Sequence, residues 1–361
     1  MPHTFTSPTG HGARVSPARR KARRTRAARL EALVVAAALF VGACASEPPA
    51  PPPLPLPRVV VIADPHVIGS QYTEAIERTP ENNESIFHTP ARLARARDLI
   101  NALDPQPLAV FVLGDVVHHA HHSEDFEWYL ANESAYSVAA GIFEGFSAPL
   151  HFVFGNHDYH VRCSGQTYSR ELSERLFAHF FGAEPYGAVD VGGFRFLLLN
   201  NQQGPTWDAE DERCQTGSGS FGAAQLEWAR AQLEEGLPTV VLTHYPSLVQ
   251  EREEAEGLAH PDLPSLLDAY ENVKLAFAGH LHRWLSLRGR EFEEIILGAT
   301  RFDADNFLVL ELDADAEAVR AVDRGKIRAS HSCAPSYDYG VDPPAPDEDA
   351  VEDGTCVVNL R

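Results

Sequence analysis

The chain has one methionine in 361 residues, five cysteines and no apolar run longer than about ten residues. A single methionine excludes the adaptable, methionine-lined groove of a promiscuous peptide binder. No two cysteines have the C-x-x-C spacing, which argues against a thiolate zinc site. Ten apolar residues are too few to cross a bilayer as a helix. Acid is missing from residues 1–30, which hold eight basic side chains, and base is scarce afterwards. Beyond Cys44 there are 22 basic against 50 acidic side chains, so that part is more acidic than the net −21 of the whole. Such a surface repels polyanions, which argues against a nucleic-acid-binding module and against docking of the folded domain on an anionic membrane. What is plentiful is apolar side chain, 44% of the chain. That is enough to bury a core, so wholesale disorder is excluded.

The N-terminus reads as an address label. The basic stretch precedes the apolar run Ala32–Val41, which has the length of a signal-peptide h-region. It ends in Val41-Gly42-Ala43-Cys44, which resembles the lipobox of bacterial lipoproteins. The resemblance implies cleavage before Cys44 and a lipid on that cysteine. An ordinary signal peptide with an incidental Cys, or a short anchor, stays open. Glu47–Pro57 is a stiff proline-rich spacer of the kind a tethered domain needs. The expected organisation is a signal peptide over 1–43, a tether over 44–57, the main folded domain over 58–325 and a tail over 326–361. The expected location is the bacterial cell envelope, membrane-anchored. Four cysteines then remain, an even number that suits an exported, disulfide-bonded chain with three possible pairings. The expected pairs are Cys163–Cys214 and Cys333–Cys356, the second bracketing a tail with little else to hold it.

From Arg58 onward, short apolar runs alternate with amphipathic stretches. Strands are expected at Arg58–Ala63, Leu108–Leu113, His151–Phe154, Thr239–Thr243, Lys274–Ala278, Leu285–Arg288, Glu294–Leu297, Phe307–Leu312 and Val319–Val322. Gly187–Asn200 reads as a hairpin turning at Gly192-Gly193. Helices are expected from Thr89-Pro90 to Leu103, from a Ser123 cap to Ala140, over Glu171–Phe181, and over Phe221–Glu235 behind a Ser220 cap. The alternation predicts a layered α/β domain with mixed sheets.

Five polar clusters each follow an apolar run: Asp64-Pro65-His66, Gly114-Asp115, Gly155-Asn156-His157-Asp158, His244, and Gly279-His280-Leu281-His282. Loops at the carboxyl ends of strands are where α/β proteins assemble sites. Carboxylates, imidazoles and an amide, with no thiolate, suit Mn, Fe, Zn or Ni and are poor for Ca²⁺. They are too many for one tetrahedral ion, whereas two ions sharing a carboxylate would use them economically.

In this order, the clusters resemble the calcineurin-like metallophosphoesterases, over roughly Arg58 to Val322. The resemblance implies a four-layer α/β/β/α sandwich with a dinuclear centre at one edge. It implies that Asp64, His66, Asp115 and His282 hold one divalent metal ion, and that Asp115, Asn156, His244 and His280 hold the other. His157 would be the non-ligand proton donor, with Asp158 orienting it. Two cations about 3.5–4 Å apart acidify a bridging water, whose hydroxide attacks phosphorus in line. An imidazole is a suitable donor to the leaving alkoxide.

The first motif is Asp-x-His, and no Tyr follows Gly114-Asp115, so the tyrosine–iron chromophore of purple acid phosphatases is not expected. The expected substrate is a small-molecule phosphoester. A specialised phosphodiesterase acting on a cyclic nucleotide or lipid head group stays open. So does an inactive lipoprotein that binds a ligand or stores metal. The tract His118, His119, His121 and His122 reads as a solvated loop, with phosphate binding or an accessory metal as the alternative. Trp284 and Tyr245 could wall the pocket or serve packing alone, Arg162 could clamp a phosphate or make a surface salt bridge, and the long loop Asn201–Gly219 could shape the substrate site.

Overall fold

Arg58–Ile62 is apolar at four successive positions, and all four side chains are buried, because this strand is covered on both faces. The same holds for Val110–Leu113, and Thr239–Leu242 is likewise buried at all four positions, three of them apolar. In the computed structural model the chain runs β1 (Arg58–Ile62), α1 (Pro80–Phe87), α2 (Thr89–Asn101), β2 (Val110–Leu113), α3 (Phe126–Ala131), α4 (Ala135–Phe143), β3 (Leu150–Val153) and α5 (Arg170–Phe181). It continues through β4 (Gly187–Val191), β5 (Phe194–Leu198), α6 (Ala223–Glu234), β6 (Thr239–Leu242), α7 (Leu263–Leu267), β7 (Val273–Ala278), β8 (Leu285–Arg288) and β9 (Glu293–Ile296). It closes with β10 (Phe307–Asp313), β11 (Ala318–Ala321), β12 (Val351–Glu352) and β13 (Thr355–Asn359).

The structure describes residues 55–73, 80–252, 258–288, 290–322, 351–352 and 355–359. The expected signal peptide, Cys44, most of the tether and Cys333 lie outside them, so the Cys333–Cys356 pairing does too. No helix among the described residues is long and apolar enough to cross a membrane.

Two mixed sheets result. The first has the order β11-β10-β1-β2-β3 and the second β12-β13-β8-β9-β7-β6-β5-β4. β1, β2 and β3 run parallel side by side, as do β5, β6 and β7. Alternate side chains of β1 and β2 divide between two cores. Val59, Val61, Phe111 and Leu113 pack against Phe196, Val240, Leu242 and Phe277 of the other sheet. Val60, Ile62, Val110 and Val112 instead join Leu93, Ala139 and Phe177 of the helices outside. A third core, with Val241, Leu226 and Leu266, covers the outer face of the second sheet. Helices, sheet, sheet and helices make the four layers.

Two helix starts differ from expectation. The helix expected from Ser123 to Ala140 is two helices, broken at Asn132-Glu133-Ser134. Asp125 caps the first by accepting from Glu127 N–H, and Ser134 and Ser137 form a capping box that starts the second. A capped start in mid-segment is a stronger local signal than continuous amphipathicity. Ser220 does not cap α6, whose N-cap is Gly222; its hydroxyl accepts from Thr206 N–H at 3.0 Å. The expected Cys163–Cys214 disulfide is present. It ties the segment after β3 to the loop 201–219, which carries a short 3₁₀ turn at Pro205–Trp207.

Phe111 lies fully buried between the sheets, stacked on Phe196 at 4.4 Å. Phe111→Ala should destabilise the domain by about 3–5 kcal/mol, read by denaturant unfolding. A loss below about 1 kcal/mol would mean that the intersheet core collapses around the vacancy.

Candidate metal centre

Each cluster singled out in the sequence leaves the carboxyl end of a strand: Asp64 and His66 after β1, Asp115 after β2, Asn156 and His157 after β3, His244 after β6, His280 and His282 after β7. Three of these strands are neighbours in one sheet and two in the other, so five loops converge. Their backbone is unusual. Asp64, His66, Asp115, His280 and His282 have φ between 48° and 68°, a left-handed region that non-glycine residues rarely adopt. The loops interlock to hold it: His66 N–H donates to Asp115 O at 2.8 Å, and Arg301 N–H to Asp64 O at 3.1 Å. Gly155 allows the closest approach, since a Cβ there would lie 2.2 Å from Asp115 N.

Asp115 is fully buried at the centre. Its Oδ2 lies 3.3 Å from His66 Nε2, and its Oδ1 lies 3.3 Å from His244 Nε2 while accepting from His157 N–H at 2.7 Å. His66 Nε2 is 2.9 Å from His282 Nε2, which is 3.4 Å from Asp64 Oδ1. His244 Nε2 is 2.9 Å from Asn156 Oδ1. Two groups of ligand atoms, each within 4.8 Å, result: Asp64, His66, Asp115 and His282, and Asp115, His244 and His280. Asp115 belongs to both.

The donor set fits two divalent cations. It offers imidazole nitrogens, carboxylate oxygens and an amide oxygen without a thiolate. Asp115 Oδ2 is buried and accepts no hydrogen bond from the described residues, so its lone pairs remain for a cation. His244 Nδ1 sits 2.7 Å from Leu113 O, a contact that places the hydrogen on Nδ1 and leaves Nε2 as the ligating atom.

Electrostatics separate the imidazoles. Burial pushes His66, His118, His157 and His280 well below the usual histidine value, with neighbouring imidazoles adding to it. That direction favours the neutral ring, which suits His66 and His280 as ligands. Burial also pushes His244 down, but the Asp115 carboxylate outweighs it and raises the ring to about 9. On Asp115 itself burial acts upward, and His244 and His157 prevail to hold it below its usual range.

One expected role differs. Asp158 does not orient His157: its Oδ1 accepts from Val117 N–H at 3.1 Å and its Oδ2 from Gly155 N–H at 2.7 Å. It fastens the loops after β2 and β3 together. Arg162 is exposed and stands outside the cluster. Trp284 is buried with the intersheet core, its indole N–H donating to Asn306 Oδ1. Tyr245 is buried, its ring 4.1 Å from that of His280. The histidine tract is not uniformly solvated. His119 and His122 are exposed and line an open cavity of about 300 Å³ with Tyr72 and His160, whereas His118 is buried against His66. Arg301, which nothing in the sequence marked, is buried at the same edge and weighs electrostatically on His66, His118 and His157.

A family model described as calcineurin-like phosphoesterase matches residues 57–284. Among solved structures, a dimetal phosphatase from Danio rerio is 17% identical, with 72% of this chain and 93% of that chain covered at a TM-score of 0.49. The structure of PhoD is 10% identical, covering 75% and 72% at 0.46. The purple acid phosphatase PPD1 from yellow lupin is 15% identical, covering 74% and 54% at 0.40. No protein of curated function matches the sequence.

Metal binding should release a proton from this centre. A histidine raised to about 9 contributes stability that is fully present below about 6.5 and is lost as pH rises through 9. The metal needs the neutral ring, so it competes with that proton. Mn²⁺ affinity should therefore rise about tenfold per pH unit between about 6.5 and 9. Calorimetric titration at pH 7.5 in buffers of different ionisation enthalpy should read close to one proton released per chain. An affinity flat over that window would mean that His244 is already neutral.

Proposed function

The chain belongs to the calcineurin-like phosphoesterases, enzymes that use two divalent metals, and from that premise we propose that it hydrolyses a small-molecule phosphoester with His157 protonating the leaving group. The observation that carries this reading is the pair of ligand groups sharing Asp115, with His157 beside them and partly exposed. Asp64, His66, Asp115 and His282 would hold one cation, and Asp115, Asn156, His244 and His280 the other. When bound, the two cations polarise the phosphoryl oxygens and acidify a water between them.

The rest falls to the chain. His157 anchors itself through its backbone N–H on Asp115. Burial disfavours the imidazolium. An anionic phosphoester arriving beside the ring offsets that cost, so the proton is held in the complex and handed to the leaving alkoxide. A pure binder would have no use for this group. The lipobox-like Val41-Gly42-Ala43-Cys44 and the proline-rich stretch behind it support an exported enzyme tethered by lipid on Cys44.

Asp115→Asn should abolish turnover and most bound metal with the fold retained, read by metal analysis and circular dichroism; full activity in that variant would sink the dinuclear reading. His157→Ala should keep both metals and slow turnover about 10²–10⁴-fold. The loss should be smaller for p-nitrophenyl phosphate, whose phenolate leaves unaided, than for an alkyl phosphate. Equal losses for the two esters would remove the proton-donor role. Cys44→Ser should release the protein from membranes in a fractionation assay, and unchanged retention would favour an uncleaved anchor.

A further inference from the structure

His118 lies three residues past Asp115, 2% exposed. Its backbone is pinned: His118 N–H donates to Val67 O at 2.9 Å, beside a parallel bridge between Val67 and Val117. Its Nδ1 is 3.0 Å from Nδ1 of His66. Its ring stacks on that of His157, centroids 4.6 Å apart and planes 21° from parallel.

Two ring nitrogens 3.0 Å apart share one hydrogen. His66 Nε2 faces Asp115 and His282, the side of the metal ligands. With Nε2 given to a cation, the hydrogen belongs on His66 Nδ1, where His118 Nδ1 is placed to accept it. The second nitrogen of a ligating histidine ordinarily donates to a carboxylate or a carbonyl, which fixes the tautomer and turns the ring toward the metal. Here an imidazole stands in that place. His118 and His157 are themselves close enough to His66 to form a metal-binding trio. Their nearly parallel rings, however, aim their lone pairs side by side rather than at one point.

We propose that His118 is a positioning residue for both halves of the site: it accepts the Nδ1 hydrogen of His66, presenting Nε2 to the first cation, and its ring face holds the His157 imidazole at the second half's edge. This rests on His66 being a ligand and His157 the proton donor.

Two substitutions separate acceptor from bulk. His118→Asn keeps an acceptor near the place of Nδ1, and His118→Leu keeps volume alone. The full chain is equilibrated against graded Mn²⁺ and its bound metal measured, with circular dichroism reporting the fold. His118→Leu should weaken one of the two Mn²⁺ sites about 10–100-fold, and His118→Asn should stay within a few-fold of the unaltered protein. Because both remove the stacked ring, both should lower kcat on an alkyl phosphate more than they change KM. His118→Leu binding two Mn²⁺ as tightly as the unaltered protein would overturn the proposal. His118→Asn as weak as His118→Leu, with the fold intact, would overturn the acceptor role. A third Mn²⁺ per chain that disappears in His118→Asn would make His118 a ligand instead. His66→Ala retaining both sites would locate the failure in the assignment of His66, and the proposal would fall with it.

Discussion

A carboxylate with no access to water governs this molecule. Burying an uncompensated anion costs several kcal/mol, so Asp115 needs groups that favour its charge, supplied at Oδ1 by a donor and a raised histidine and left at Oδ2 to a cation. One oxygen takes His157 N–H and faces His244, and the other faces His66. Those partners come from β3, β6 and β1, so three strand ends in two sheets are committed to one residue of β2. The commitment fixes register as well. A slip of β2 by one residue would turn Asp115 away and exchange its two buried faces, Phe111 for Val112.

The same demand explains the backbone. Each left-handed non-glycine residue costs of order 1–3 kcal/mol. Asp64, His66, Asp115, His119, His280 and His282 share that conformation, and Glu317 is the one described case elsewhere. Glycine would relax the chain at these positions and, at all but His119, remove a ligand atom. The protein keeps the side chains and secures the loops by other means. Asp158 spends both oxygens on backbone amides of two loops, and Asp64 accepts from His280 N–H at 3.0 Å. Asp158 thus contributes architecture beside a neighbour, His157, that faces the solvent side of the site.

What the sequence disclosed and what it hid follow one physical line. The strands were readable because each is a short apolar run stopped by a polar residue, and the site was readable because those stops are its ligands. Local competition was harder. Ser123, Asp125 and Ser134 all resemble caps over a few residues, and the last two each start a helix while Ser123 starts none. Two short helices, Pro80–Phe87 and Leu263–Leu267, carry too few turns to show a period. Contacts distant in sequence were hidden altogether. His118 and His119 are adjacent in one tract, yet one is buried against His66, 52 residues away, and the other is exposed. Arg301 follows β9 with no motif around it, and its place at the site arises from the fold alone.

One tension remains between surface and site. A domain this acidic repels an anion at long range, and its substrate is an anion. Screening limits that repulsion to about 8–10 Å at physiological ionic strength. Inside that distance the sign reverses. Two divalent cations carry four positive charges against the two ligand carboxylates, Asp64 and Asp115, and buried Arg301 adds a fifth nearby. The histidine ligands add no charge once neutral, so the excess is positive and confined to the cluster. The same balance explains why most of the imidazoles here must be neutral: each additional cation would compete with the metals for the same two carboxylates. Acidic exterior and cationic centre are therefore compatible, because capture depends on the last few ångströms of approach and not on the net charge of the chain.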